Sequence, residues 1–329
     1  MNTFVLIFTP VMTLFLCMAI GYTLEKTKLI KSEGANTLAK LQTWVFCPAL
    51  AFVSMAESFN VKSIIEYSTN ITFSVIALSV ALLLGIGISV FFVKEKCYLR
   101  GIYQYALVFA NLGYMADPLV QDLFGTAVLG AYKFFCLPFT IVIYIWGISV
   151  LTPIGKDSGA AWKRVINFPT IALVSGMIFG ITGLKEFIPD FAMGTLNSLK
   201  VCMGPTAMII AGLTIAKYDI KRLVTDKKVY AASIFRLIIL PTLIVGAVIG
   251  VRALANNIFG LEISAAPIYF TFFATAMPLG MNTVVFPEAY GGDPEPGASM
   301  AIISTTISIL TVPLMYALLN LVVPCPFIT

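Results

Sequence analysis

Ten stretches of predominantly apolar residues dominate this chain of 329 residues. A helix needs roughly 20 apolar residues to cross the hydrocarbon core of a bilayer, and each stretch comes close to or exceeds that length. With 59% hydrophobic and 11% charged residues, the chain has too little polar surface to cover a water-soluble globule. We therefore predict an all-α integral membrane protein with ten transmembrane helices. The stretches are 3–24, 37–56, 68–93, 101–121, 127–151, 167–184, 193–216, 229–254, 264–290 and 298–323.

Enzymatic chemistry has little support in the composition. The chain contains no histidine, the commonest metal ligand and general base, and it has no Walker motif. Its six cysteines show no CxxC spacing and fall mostly within the apolar stretches, so they indicate neither a disulfide framework nor a metal site. We predict that the protein is not an enzyme and uses no cofactor or metal.

Two of the apolar stretches are interrupted by the same residue types. The fourth contains FANLGYMADPLV (109–120) and the ninth contains TAMPLGMNTVVFP (275–287). Proline removes a backbone donor and clashes with the preceding helical turn. Freed backbone groups at membrane depth are tolerated only where protein buries them or where they line a wet cavity. A matched pair of broken helices therefore predicts a transporter binding site.

The basic residues indicate how the chain enters the membrane. With the N-terminus outside, four internal loops hold fifteen of the 21 Lys and Arg residues, whereas the outer loops hold Lys62, Lys185 and Arg252. Positive charge in short loops marks the cytoplasmic side. We predict a multi-pass protein of the cytoplasmic membrane with both termini outside, and this bias explains the net charge of +5 without any nucleic-acid partner.

Ten spans divide into two halves of five, and an odd number of spans per half makes the repeat inverted. Pro48 in the second span and Pro205 in the seventh are corresponding landmarks, as are the breaks in the fourth and ninth. We predict a first repeat over 1–151 and a second over 152–329, joined by a short basic loop at 152–164.

These landmarks together resemble the auxin efflux carrier family, which includes the plant PIN-formed auxin exporters and bacterial carriers for malonate and related acids. The chain lacks the long cytoplasmic loop of the plant exporters, and its Asn282-Thr283 pair is closer to the bacterial members. The residues that carry the resemblance are Pro48, 111–118, the LFG of 123–125, the GPTAM of 204–208, Gly212, the RLIILP of 236–241 and the PLGMNTVVFPEAYG of 278–291.

The resemblance implies a fold related to bile-acid transporters and cation antiporters. In it, helices 1, 2, 6 and 7 form a scaffold that also dimerises, and helices 3–5 and 8–10 form a mobile transport unit that works as an elevator. Helices 4 and 9 cross as unwound segments, and the substrate carboxylate binds beside the crossing. Carried over by position, the substrate-binding residues are Asn111, Gly113, Tyr114, Pro118, Pro278, Gly280, Asn282 and Thr283.

The residue types at the breaks suit an anion. Asn111 and Asn282 can donate hydrogen bonds, and the N-termini of half-helices present free N–H groups and the positive end of a dipole. The alternative is that both asparagines only join helices, since polar pairs within membrane bundles contribute about 0.6 kcal/mol on average.

Few charged residues fall within the predicted spans. Asp117 and Lys133 would each cost roughly 2.5 to 3.5 kcal/mol at a helix centre, so we predict that they pair and serve as a coupling group or counter-charge. The alternative for Asp117 is solvation at the outer interface. Arg236 can snorkel to the cytoplasmic interface or pack locally, and we expect either of these in preference to substrate contact. Glu288 could gate the ninth helix or simply be a solvated helix end. Pro48 and Pro205 are expected to kink scaffold helices.

The sequence thus predicts a secondary transporter of small organic anions, either a dicarboxylate or an aromatic carboxylate, with Na⁺ or H⁺ as a possible coupled ion and a homodimer as the assembly. Two alternatives remain open at this point. One is a sodium- or proton-coupled carrier of the bile-acid type, which usually has several intramembrane carboxylates at the crossing. The other is a membrane sensor that retains the carrier fold without transport.

Overall fold

The structure, a computed structural model, describes residues 3–31, 33–95, 97–152 and 166–327, without the side chains of 3–11, 14, 114, 126 and 222. Nearly all of this part of the chain is helical. Most of the predicted linker at 152–164 lies outside the described residues. The α-helices are α1 Thr3–Lys26, α2 Glu33–Leu41, α3 Cys47–Ser58, α4 Val61–Glu66, α5 Ser68–Phe92, α6 Tyr98–Val108, α7 Asp117–Val142, α8 Ile148–Leu151, α9 Phe168–Thr182, α10 Asp190–Ala216, α11 Ile220–Thr225, α12 Lys227–Ile234, α13 Leu240–Phe259, α14 Ala266–Thr275, α15 Asn282–Tyr290 and α16 Glu295–Val322.

Six helical segments in the described ranges are long and apolar enough to cross a membrane. Two shorter apolar helices, α9 and α14, accompany them. These segments agree with a multi-pass membrane protein, and the arrangement as ten spans in two inverted repeats stays a prediction. The six segments are Glu33–Ser58, Ser68–Phe92, Ala127–Leu151, Asp190–Ala216, Lys227–Phe259 and Glu295–Val322.

Local sequence signals set many of the helix ends. The side chain of Asn60 accepts a hydrogen bond from the Ser63 amide at 2.9 Å at the start of α4, and Asn167 caps α9 through the Thr170 amide at 3.0 Å. Within α7, Gly125 has a φ of +84°, so a short helix ends there and a second one follows. The half-helix after the first break is therefore only about two turns long.

Four helices pack closely with one another: α1 with α10, α3 with α9, and α3 with α10. Small residues allow the backbones to approach. A Cβ on Gly212 of α10 would lie 2.0 Å from the Met18 carbonyl oxygen of α1, and one on Gly176 of α9 would lie 2.4 Å from that of Phe52 in α3. The helices α5, α6, α7 and α12–α16 pack around a second centre that contains the two breaks.

The described chain has four wide π-helical turns. Those at Gln42–Phe46, Ile143–Gly147 and Phe235–Ile239 each lie between two helices, and Leu112–Ala116 leads from the first break into α7. Three of the four turns are followed two residues later by a proline, namely Pro48, Pro118 and Pro241. A proline leaves a carbonyl of the preceding turn without its donor, and a wide turn accommodates that loss. Pro48 thus follows a π turn, whereas Pro205 lies inside the continuous helix α10.

Candidate functional site

The two broken segments meet in the middle of the second helical group. α6 ends at Val108, and the extended residue Ala110 forms an isolated antiparallel bridge with Leu279, which lies between α14 and α15. The Asn111 amide donates to the Pro278 carbonyl at 2.9 Å. Each break therefore supplies hydrogen-bond partners for the backbone that the other leaves exposed.

The crossing leaves backbone donors available. Gly113 and Gly280 line the space beside the crossing, and α15 begins at Asn282 just beyond. The first amides of a helix have no partner within it and carry the positive end of its dipole. A Cβ on Gly280 would lie 3.2 Å from the Ala110 carbonyl oxygen, so glycine permits the close crossing.

A cavity of about 130 Å³ adjoins the crossing. It lies between the closely packed helices and the crossover, so both helical groups contribute to its wall. Its polar lining combines hydroxyl, amide and charged groups, and methionine, leucine and isoleucine side chains complete it. Among the lining residues are Ser54 and Ser58 of α3, Met203 of α10, Asn111, Gly113, Gly280 and Asn282 of the breaks, Tyr105 of α6, and Asp117, Lys133 and Thr140 of α7.

The two asparagines differ in their hydrogen bonding. Asn282 Nδ2 donates to the Tyr105 hydroxyl at 2.7 Å, across the crossover. Asn111 is a residue of the cavity wall and is buried, and its Nδ2 has no acceptor among the described residues. An unmet buried donor is costly, so Asn111 is the group that a ligand oxygen would satisfy.

Asp117 and Lys133 form an ion pair at the cavity wall, as their residue types predicted. Asp117 is largely buried, whereas the Lys133 side chain is 43% exposed. Lys133 therefore keeps donors available to a ligand, while Asp117 holds it in place. The role of the pair as coupling group or counter-charge remains a prediction.

Several predicted site residues lie elsewhere. Pro278 contributes its carbonyl to the crossing, and Thr283 is buried with its hydroxyl donating to the Gly280 carbonyl at 3.0 Å. Neither these two nor Pro118 lines the cavity. The side chain of Tyr114 lies outside the described residues. Sequence reasoning missed Tyr105, whose signal is a tyrosine about two turns before the break.

A second ion pair joins the two helical groups at the far end of α15. Lys217, just after α10, lies 2.6 Å from Glu288 Oε1, and the Thr214 hydroxyl lies 3.4 Å from Oε2. The Asn36 side chain of α2 donates to the Glu288 carbonyl. Because Glu288 is only 7% exposed, it is no solvated helix end but a buried contact between α15 and two neighbouring helices.

Arg236 does not occupy the snorkelling position. An arginine that snorkels would expose its guanidinium at the interface, but Arg236 is 2% exposed. The π turn at Phe235–Ile239 directs the side chain inward, toward α6 and α16. The expectation of snorkelling is therefore wrong.

Comparison with known proteins identifies the same class of protein as the broken helices and the cavity suggest, a membrane transporter. A family model described as "Membrane transport protein" matches residues 6–316. The chain belongs to this family, the auxin efflux carrier family of membrane transport proteins.

Two archaeal relatives align over nearly their full length. One is an uncharacterized transporter of Methanocaldococcus jannaschii, 25% identical over 94% of this chain and 98% of the relative. The other is an uncharacterized transporter of Methanothermobacter thermautotrophicus, 24% identical over 92% and 95%. Both comparisons extend across both breaks, so the similarity includes the whole candidate site.

Proposed function

We propose that the protein is a secondary transporter of small organic carboxylate anions, with the substrate bound at the crossover. The observation that carries this proposal is the buried Asn111 Nδ2, which has no partner among the described residues and belongs to the wall of a cavity that also presents Lys133. A neutral donor and a cation beside one space suit a carboxylate.

The size of the cavity fits a small acid. Its volume of about 130 Å³ is roughly ten times the 10 to 15 Å³ that holds one water molecule. In our proposal the carboxylate accepts from Asn111 and Lys133, and the rest of the acid lies against Leu50, Met203 and Met281. Asn282 acts indirectly, because its amide already donates to Tyr105.

The arrangement we propose is the ten-helix inverted repeat with an elevator motion. The scaffold consists of α1, α2 with α3, α9 and α10, a division supported by their mutual packing, and the remaining spans move as the transport unit. Dimerisation through the scaffold is part of the proposal and rests on the family resemblance.

The wall of the cavity indicates which side is open. With both termini outside, Ser58 at the end of α3 lies toward the outer face, whereas Lys217 and Glu288 lie toward the cytoplasm. The cavity reaches from Met203 at the middle of α10 to the outer end of α3, and the buried ion pair joins the units on the other side. We infer an outward-facing arrangement held by the Lys217–Glu288 contact.

The membrane potential can drive such a carrier without a second ion. A monovalent anion that leaves an inside-negative cell gains about 2.3 kcal/mol per 100 mV. Both carboxylates near the path, Asp117 and Glu288, already pair with lysines, so neither is a free ligand for Na⁺. This supports uniport over the cation-coupled alternative.

The test is uptake into proteoliposomes of labelled malonate, succinate, lactate and indole-3-acetate. Asn111→Ala should raise the KM of the transported acid 10- to 100-fold, because a hydrogen bond to a charged group contributes about 1.5 to 3 kcal/mol. Asn282→Ala should have a smaller effect. The matched control is Asn197→Ala, because the Asn197 side chain donates to the Met193 carbonyl of its own helix.

Three outcomes would contradict the proposal. Unchanged uptake by Asn111→Ala would remove the crossover from the binding site. A strict requirement for a sodium or proton gradient would favour the cation-coupled carrier. No uptake of any acid by folded protein would favour the sensor.

A further inference from the structure

Arg236 lies behind the crossover, on the face opposite the substrate cavity. Its side chain, which is 2% exposed, lines a separate small cavity of about 10 Å³. Leu279 and Ser304 line the same space, and Leu279 is the crossover residue that bridges to Ala110. The next residue, Gly280, lines the substrate cavity. A single strand of backbone therefore separates the guanidinium from the substrate site.

The guanidinium has no partner in the part of the chain that the structure describes. Its Nε, Nη1 and Nη2 atoms make no hydrogen bond, and none of the ion pairs found there includes Arg236. Arginine stays protonated in proteins, so the positive charge persists. A buried charge without compensation is strongly unfavourable, and an ionisable residue inside a membrane bundle is a functional candidate.

The other buried charges near the substrate path cancel in pairs. Asp117 neutralises Lys133 beside the cavity, and Glu288 neutralises Lys217 between the helical groups. The interior around the crossover therefore carries one uncompensated positive charge, on Arg236. A ligand with one negative charge would balance it, whereas a ligand with two negative charges would leave one negative charge uncompensated.

We propose that Arg236 is the fixed counter-charge for the substrate carboxylate and selects monovalent over divalent acids. This inference rests on the proposed function. The crossover region of the transport unit would carry one positive charge when empty and none when a monocarboxylate is bound, so no cation has to accompany the anion. Glu288 belongs to the same unit and parts from Lys217 when the unit moves, but it lies at the cytoplasmic end of α15, away from the substrate. The membrane potential would then act on the return of the empty unit and not on the loaded one. Arg236 acts through the field behind the crossover and is a specificity-determining residue without direct contact.

The experiment uses exchange, in which only the loaded unit crosses the membrane. Proteoliposomes hold the same acid on both sides, the potential is set with potassium and valinomycin, and exchange of lactate, indole-3-acetate and succinate is followed with label. For the wild type, the rate of monocarboxylate exchange should change less than twofold between 0 and −100 mV. In Arg236→Met the loaded unit becomes negative, so the rate of exchange should change several-fold over the same range of potential.

Two further variants separate charge from structure. Arg236→Lys keeps the charge and should restore the weak voltage dependence. A purely structural role of the arginine would not explain such a restoration. Arg252→Met is the matched control, because Arg252 lies in the helix that follows the π turn and its Nε donates to the carbonyls of Ile263 and Ser264 near the helix end. Monocarboxylate exchange by this control should remain voltage-independent.

Thermal stability supplies a readout that needs no transport. Removing an uncompensated buried charge should leave Arg236→Met as stable as the wild type or raise its Tm by a few degrees. The variant should also lose the Tm increase that a monocarboxylate produces in the wild type. A Tm several degrees lower without substrate would mean that Arg236 has a structural partner, and the inference would be overturned.

The failures are distinguishable. Exchange that is as voltage-dependent in the wild type as in Arg236→Met overturns the counter-charge and leaves the proposed function intact. A wild-type preference for succinate over lactate also overturns the counter-charge and leaves the proposed function intact. If no organic acid is exchanged at all, the proposed function is wrong, and the inference falls with it because no substrate charge remains to be balanced.

Discussion

The two buried ion pairs near α7 and α15 use the same chemistry in different ways. Lys133 and Asp117 lie on the two parts of α7 on either side of Gly125, within one helical group, and Lys133 remains 43% exposed beside the substrate cavity. Lys217 and Glu288 come from different helical groups, with exposures of 22% and 7%. A pair within one group can change its solvation while the groups stay in place, whereas a pair across two groups must break when the groups separate. The first is therefore suited to binding and the second to holding one arrangement of the units.

The largest expected effect comes from reversing one charge of the second pair. Lys217→Glu would place two carboxylates side by side in a buried contact, which we expect to cost about 3 to 5 kcal/mol and to lower the transport rate at least tenfold. The double variant Lys217→Glu with Glu288→Lys restores opposite charges and should recover the rate to within about threefold. Uptake and Tm of the two variants measure this. If the double variant recovers nothing, the contact between the units is not electrostatic.

A smaller effect is expected from removing the cation at the cavity. Lys133→Met should raise the KM for the transported acid about three- to tenfold and lower the stability by about 1 to 3 kcal/mol, because it leaves the largely buried Asp117 carboxylate without its partner. The matched control is Lys200→Met, since Lys200 also forms a partly exposed ion pair, with Glu57 at a distance of 3.4 Å. Equal KM values in the two variants would contradict a binding role for Lys133.

The smallest effect should follow from Asp117→Asn. This change keeps the shape of the side chain and releases the Lys133 ammonium, which remains solvated. We expect the KM to stay the same or to fall up to about threefold, with Tm within a few degrees of the wild type. A KM increase of tenfold or more would instead make Asp117 part of the coupling chemistry and would remove the contrast between the two pairs.

Much of what could be predicted depends on patterns of residues that are close together in the sequence. The apolar stretches follow from the thickness of the bilayer, and the breaks follow from proline, glycine and asparagine within those stretches, so both are visible without tertiary contacts. The meeting of the breaks at Ala110 and Leu279 agrees with the expectation that exposed backbone inside a membrane must find partners. The pairing of Asp117 with Lys133 was predictable because both are rare intramembrane charges only 16 residues apart.

Other features of the site could not be predicted from local patterns. Lys217 and Glu288 are 71 residues apart, and each lies at the end of a helix, where a solvated charge is the ordinary expectation. Arg236 lies near a helix end too, but a π turn changes the face on which it points. Tyr105 and Asn282 are 177 residues apart. In each case the outcome depends on which faces of distant helices meet.

By itself, the sequence determined that this protein is a helical membrane protein of the transporter class, with two broken helices as its most informative feature. Hydrophobic length and backbone chemistry act within a few turns, so they can be read along the chain. Only the tertiary structure decided that Asn111 keeps an unmet donor, that Glu288 joins two helical groups, and that Arg236 is buried without a partner. Those properties arise from the packing of helices that are distant in sequence, because burial and the presence of a partner are set by neighbours that no local pattern specifies.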